Sequence, residues 1–179
     1  MYISGIDTYG KVNTVSRSDV NILATVNPKS GQMLLINTPR DYYVPLSISK
    51  GVKDKLTHSG IYGIECSRDT LGMLYDEKVN HYFRLNFSGF QGMIDALDGV
   101  DVESDVAFSS FGYNFKVGTN HLNGKQALAF ARERHAFASG DNQRGKNQMK
   151  VIEAVVRKVQ SPSILKNYLG VLDNLNGTF

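Results

Sequence analysis

The 179-residue sequence contains a single cysteine, Cys66. No intrachain disulfide can form, so the fold must rest on packing and hydrogen bonds. A chain of this length suits one domain and buries roughly 70% of its unfolded surface, enough to dispense with disulfides or a structural metal. Scarcity of cysteine leaves the compartment open, because many exported bacterial proteins share it. Long hydrophobic runs are missing as well: nothing approaches the ~20 apolar residues of a membrane-spanning helix, and no signal-peptide pattern is present. The chain opens directly on strand-like sequence, Tyr2-Ile3-Ser4-Gly5-Ile6, which leads us to expect a domain belonging to a longer protein. Excess charge of one sign is also lacking. Twelve lysines and eight arginines face twelve aspartates and five glutamates, for a net charge of +3. A nucleic-acid-binding domain needs a basic face with a recognisable reading element, and neither is legible here. There is no Walker loop, dinucleotide fingerprint or nucleophile elbow. The four histidines, His58, His81, His121 and His135, lack metal-ligand spacing. His81 alternates with apolar positions and is expected to line the core or a pocket.

What the sequence does contain is an interleaving of strand and helix patterns. Residues 3–6 read as a strand, and so do residues 19–27, where Val20, Ile22, Ala24 and Val26 alternate. The turn Asn27-Pro28-Lys29-Ser30-Gly31 leads into residues 33–36, an apolar run expected to be buried on both faces. Residues 40–63 read as irregular, 64–75 as helix, and 79–87 as a strand with Val79, His81, Phe83, Leu85 and Phe87 on one face. Further helices are expected at 88–97, 124–132, 141–160 and 163–175, and strands at 100–106 and 113–117. The inner stripe of the helix at 141–160 is read as Met149, Ile152, Val155, Val156 and Val159, with Arg144 and Gln148 continuing it towards the N-terminus. These patterns predict an α/β fold, a layered α/β/α domain with a central mixed β-sheet.

Two kinds of residue stand out chemically. Asp7 and Asp19 each close a predicted strand end across one loop. If those strands are neighbours, both carboxylates can face one spot, which suits a magnesium ion that draws its other ligands from phosphate and water. Taken alone the pair is ordinary, because aspartate is a common turn residue. Arginine is the second. Arg17, Arg40, Arg132, Arg134 and Arg144, five of the eight, fall in short motifs. The planar guanidinium grips phosphate with two parallel bonds. Any one of them could equally be a solvated surface charge, or a cation favoured by a helix C-terminus. Arg144 and Gln148 tilt the balance, since they share a face with Ile152 near a helix N-terminus, a natural site for an anion.

In order and spacing, these segments resemble the LytR-CpsA-Psr family of bacterial cell-wall enzymes. The matching pieces are Gly5-Ile6-Asp7, Arg17-Ser18-Asp19, Thr38-Pro39-Arg40-Asp41, Lys55-Leu56-Thr57-His58, Phe87-Ser88-Gly89-Phe90, the run from Asp95 to Val102, Leu122 to Leu128, Ala131-Arg132-Glu133-Arg134, and Gly140-Asp141 with Arg144 and Gln148. Each is weak by itself; their shared order carries the resemblance. It implies a phosphotransferase that moves a glycopolymer (capsule, teichoic acid or similar) from an undecaprenyl-pyrophosphate carrier to peptidoglycan with phosphodiester formation. It further implies catalytic roles for Asp7, Asp19 and Arg40, with magnesium, or manganese in its place, on the two aspartates. Pyrophosphate contacts would come from Arg17, Arg40, Arg132, Arg134, Arg144 and Gln148. The carrier's tail would need an apolar groove, for which Phe83, Leu85, Phe87, Phe90 and Ile94 are the candidates, though an ordinary core uses the same residues. Family members work at the outer face of the cell membrane, held by an upstream helix, and no nucleic acid is expected through this domain. The rival readings are a non-catalytic sensor of lipid-linked wall precursors and a transcriptional attenuator. The sequence departs from the family pattern at Asn147, where a second arginine is common, at Asn142, often bulky and apolar, and at Asp98-Gly99, usually a double glycine.

Overall fold

The computed structural model describes residues 1–161 apart from 10, 13 and 137–140. The helix expected at 163–175 lies outside the described residues. The chain divides into two compact units, Met1–Phe87 and Ser88–Phe179.

In the first unit β1 (Tyr2–Ile6), β2 (Ser18–Val26) and β3 (Met33–Asn37) follow one another. A small ribbon of β4 (Tyr43–Pro45) and β5 (Lys53–Lys55) leads through a 3-10 helix, Leu56–Tyr62, into α1 (Ile64–Tyr75) and then β6 (Tyr82–Leu85). The sheet order is β3-β2-β1-β6, with β1 antiparallel to β2 and parallel to β6, so the expected mixed sheet is present. Tyr2, Val44, Leu46, Leu56, Cys66 and Leu71 form the core of this unit. Each fully buried leucine contributes roughly 1.5–3 kcal/mol.

Four expectations for this unit are corrected. The apolar run of β3 is not buried on both faces: Met33 is 39% and Leu34 58% exposed, because β3 ends the sheet order among the described residues. The stretch 40–63 is not irregular, since three-residue strands and a 3-10 helix are too short to show apolar periodicity. His81 is exposed rather than core. The strand read across 79–87 shrinks to Tyr82–Leu85, and Phe87 leaves it to start a helix while its amide bonds the Thr8 carbonyl at 3.0 Å.

The second unit starts with the helix α2 (Phe87–Ala96), whose first residue lies at the boundary. In β7 (Val100–Ser104) Val100, Val102 and Ser104 are buried while Asp101 and Glu103 are exposed, the period of two a one-sided strand requires. The hairpin of β8 (Phe108–Ser110) and β9 (Tyr113–Phe115) precedes β10 (Gly118–Leu122), which pairs antiparallel with β7. Strands β8 and β10 escaped the sequence reading because serine, glycine and asparagine give no strand signal. Helix α3 (Gly124–Arg132) begins at a capping box, in which Asn123 and Gln126 each satisfy an amide of the other. Helix α4 (Asp141–Val159) buries Asn147, Val151 and Ala154. That stripe replaces the expected one: Met149, Ile152, Val155 and Val156 are only half-buried and Val159 is exposed. Phe108, Phe115 and Phe130 stack in the core of this unit with centroids 4.8–5.3 Å apart, beside Ile94, Leu97 and Val151.

Candidate active site

The two aspartates do sit on neighbouring strands. Ser18 pairs with Ile6 and Val20 with Gly5, so Asp19 is the extra residue of a β-bulge. Asp7 follows Ile6 directly, at the same end of the same strand pair. A bulge re-aims one side chain, and here it turns a carboxylate out of the ladder. Arg40, from the loop after β3, places Nη1 2.7 Å from Asp19 Oδ1. Thr57 Oγ1 reaches the same oxygen at 3.4 Å. The pair is partly shielded, Asp19 at 17% and Arg40 at 30% side-chain exposure, which raises its strength above that of a fully solvated ion pair. Asp41 and Lys55 extend the charge network, Lys55 Nζ lying 2.8 Å from Asp41 Oδ1. Asp7 and Arg17 are exposed.

The bulge is held from beneath. Tyr2, Ser4, Ser18, Asn21, Ser59 and Ser67 are all buried polar residues. The Tyr2 hydroxyl donates to Asn21 Oδ1 at 2.7 Å and lies 2.7 Å from Ser18 Oγ. Ser18 Oγ donates to Asn21 Oδ1 at 2.8 Å, and Ser59 Oγ donates to Ser67 Oγ at 2.8 Å. Burial pushes the Tyr2 hydroxyl above its ordinary range, so it stays a protonated donor. From the other side, Gly60 of the 3-10 helix lies so close that a Cβ there would fall 2.5 Å from the Ser18 amide and 2.7 Å from the Ser16 carbonyl. Only glycine fits, and the segment 16–18 is fixed between this contact and the hydroxyl network.

In the second unit Arg132 ends α3 with its guanidinium 5.0 Å from the centre of the Phe111 ring, a cation–π contact. Arg134 is exposed, its Nε 3.2 Å from His135 Nε2. Between them Glu133 is buried, and its Oε1 accepts the amides of His135 and Ala136 at 2.5 and 2.7 Å. Burial alone would raise the Glu133 carboxyl, but the bonds from Ser110 and the following amides outweigh it and hold the group below the usual range. Arg144 and Gln148 are half-buried on α4, one step to the side of the buried stripe.

Sequence reasoning quoted Thr57 and Glu133 inside motifs without giving either a role, and passed over Gly60. An acid between two arginines was the available signal for Glu133; nothing in the sequence marks Gly60. The departures have physical accounts. Asn147 is 2% exposed and donates from Nδ2 to the Phe130 carbonyl at 3.2 Å, tying α4 to α3. Asp98 adopts φ +56, followed by Gly99 at φ +75. The first position of a double glycine would thus be left-handed, and aspartate is one of the few residues that tolerates it. Asn142 is exposed, so polarity there costs nothing.

The donor set fits a hard divalent cation. Among the described residues, the hydrogen bonds to Asp19 from Arg40 and Thr57 both fall on Oδ1, and Asp7 adds a second carboxylate at the same strand ends. Two carboxylates suit magnesium, which keeps water and takes phosphate oxygens. Zinc prefers four nitrogen or sulfur ligands, and no cluster of three or more His, Cys, Asp or Glu occurs among the described residues. Of the apolar candidates, Leu85 and Ile94 are buried, Ile94 within the packed core of the second unit, while Phe83, Phe87 and Phe90 are half-buried. No helix among the described residues is long and apolar enough to cross a membrane.

A family model described as the LytR_cpsA_psr family matches residues 1–179. The polyisoprenyl-teichoic acid–peptidoglycan teichoic acid transferase TagU of Enterococcus faecalis is 38% identical over 171 residues, covering 94% of this chain and 56% of that protein. The chain thus spans about half the length of the curated relatives it matches. The crystal structure of B. subtilis TagV superposes with a TM-score of 0.86 at 28% identity, over 99% of this chain and 70% of that one. The LytR-CPS2A-psr family protein YwtF (TagT), solved with bound octaprenyl pyrophosphate lipid, gives 0.72 at 28% identity, over 97% and 71%.

Proposed function

The chain belongs to the LytR-CpsA-Psr family, and on that footing we propose that it transfers a teichoic-acid-type glycopolymer from a polyprenyl-pyrophosphate carrier to peptidoglycan. The observation that carries this is the bulge, which brings Asp19 against Arg40 beside the strand end that bears Asp7. A reaction of this class needs little covalent help and much charge neutralisation. In the proposed reaction a peptidoglycan sugar hydroxyl attacks the glycan-linked phosphorus. A new P–O bond forms, the bridging P–O bond breaks, and its electron pair leaves with polyprenyl phosphate. One of the two strand-end carboxylates, Asp7 or Asp19, takes the hydroxyl proton. Arg17 and Arg40 hold phosphate oxygens, and the motif match assigns Arg132, Arg134, Arg144 and Gln148 to the same anion. Asp7 and Asp19 would hold magnesium, or manganese in its place, which supplies Lewis-acid neutralisation of the pyrophosphate.

The polyprenyl tail is assigned to Phe83, Leu85, Phe87, Phe90 and Ile94; Ile94 would meet it only if its cluster opened. In this scheme the domain works at the outer face of the cell membrane, tethered through an upstream helix. The test is turnover of a lipid-linked oligosaccharide with a peptidoglycan acceptor, with and without magnesium. A phosphodiester product that depends on the metal is expected, and no product under any condition removes the proposal. The tail has its own readout. Ligand at a hundredfold excess over Kd stabilises the folded chain by about 2.7 kcal/mol. At equal concentration, polyprenyl pyrophosphates of increasing length should raise the melting temperature stepwise, since apolar burial adds roughly 25 cal/mol per Å². Equal shifts from short and long chains would leave those side chains as core alone.

A further inference from the structure

The sheet face that carries the buried hydroxyl network also carries a guanidinium with two buried nitrogens that have no hydrogen-bond partner among the described residues. Arg84 lies on β6 opposite Ser4 of β1, in parallel register. The residue is half-buried, and its Nε and Nη2 are shut off from solvent without a hydrogen bond. These two atoms form one edge of the guanidinium, the side-on fork that fits two oxygens of a phosphate. Burial works against the charge, and the groups that favour it are the hydroxyls of Tyr2 and Tyr82, with no carboxylate among them. An arginine cannot shed its proton to escape, as a buried lysine can. The neighbouring polar groups are already engaged with one another: Tyr2 with Asn21 and Ser18, and Ser4 Oγ with Ser18 Oγ at 3.0 Å.

The place is as informative as the lack of a partner. Ser4, beside Arg84, bonds Ser18, which stands between Arg17 and Asp19. Strands β1 and β6 run parallel, and their paired register ends at Gly5 and Leu85. Ligands of open α/β sheets gather at the carboxyl ends of such strands.

We infer that Arg84 is a further anion-binding residue, whose Nε–Nη2 edge takes phosphate oxygens of the ligand served by Asp19 and Arg40. This rests on the pyrophosphate reading above and adds to it a residue from outside the family motifs. Since the fork is closed to solvent, side-chain rotation must accompany binding.

The experiment uses the whole chain with three probes: inorganic phosphate, inorganic pyrophosphate and farnesyl pyrophosphate. Melting temperature without ligand, and Kd by calorimetry at fixed ionic strength, are measured for wild type, Arg84→Met and Arg84→Lys. Removing an uncompensated buried charge should raise the ligand-free melting temperature of Arg84→Met, while Kd for pyrophosphate weakens about tenfold or more. Arg84→Lys keeps the charge but loses the fork, so it should also weaken pyrophosphate. An equal loss for farnesyl pyrophosphate assigns the fork to a lipid headgroup; a loss confined to inorganic phosphate assigns it to the free ion. A lower melting temperature with unchanged Kd in both variants marks a structural arginine and overturns the inference, as does a wild type that binds none of the probes. Pyrophosphate binding that needs Arg84 in a protein that transfers no glycan would sustain the inference while removing the proposed reaction. Normal transfer by Arg84→Met, with unchanged KM and Kd, would remove Arg84 alone.

Discussion

Arg40 of the first unit meets an acid head-on, Asp19, at 2.7 Å. Glu133 of the second unit, between Arg132 and Arg134 in sequence, takes the backbone amides of His135 and Ala136 on its Oε1. Arg132 lies instead against the Phe111 ring. The difference teaches how each unit meets an anion. In the first, anything that binds must enter an existing charge pair, either joining Asp19 as a cation or drawing Arg40 as an anion. In the second, Glu133, the acid adjacent in sequence to both arginines, is engaged by backbone amides, and Arg132 rests on an aromatic ring.

The sharpest way to break the comparison is Asp19→Ala. It removes the acid of the first unit's pair, and with it a proposed metal ligand. Turnover should fall by about 100-fold or more, the usual scale for one electrostatic contact in such chemistry. Because Asp19 lies outside the hydrophobic core, the melting temperature should change little. A variant that still responds to magnesium as wild type does would remove Asp19 from the metal.

The second unit answers to a different substitution. Arg132→Lys should be nearly as damaging to turnover as Arg132→Ala, because lysine keeps the charge but loses both the two-pronged grip and the planar stack on Phe111. Comparable rates for Arg132→Lys and wild type would reduce Arg132 to a surface charge near a helix end.

Neither half of this contrast is legible in the sequence, although parts of the fold beneath it are, and the exceptions share a cause. The bounds of α1 and α3 follow from apolar spacing, and Asp7 with Asp19 followed from strand ends that proved to be neighbours. Local pattern states which residues are apolar, not which neighbour covers them. Thus β3 was read as doubly buried although it ends its sheet, and the stripe of α4 was set on its longer apolar side chains although Asn147, Val151 and Ala154 fill the space against the core. The contact of Gly60 with residues 16–18 and the isolation of Arg84 depend on chain segments far apart in sequence.

The smallest effect sharpens the comparison through pH. Glu133 has a folded pKa below its unfolded value, so it contributes stability that is present above the unfolded value and is lost as pH falls through the folded one. Glu133→Gln should therefore melt below wild type at neutral pH, by roughly 1 kcal/mol of stability. The gap should close in acid, once the wild-type carboxyl is protonated. A gap that persists unchanged to low pH would show that the shape of Glu133 matters and its charge does not.

The close seat of Gly60 has a practical side. Its neighbour Ile61 is 43% exposed, whereas the sole cysteine, Cys66, is 4% exposed and shielded from reagents. A thiol introduced as Ile61→Cys would be the fast-reacting one in the chain. A fluorophore or spin label there would ride one residue from the backbone that touches Ser16 to Ser18, and would report by its spectrum when the bulge bearing Asp19 takes up metal or phosphate.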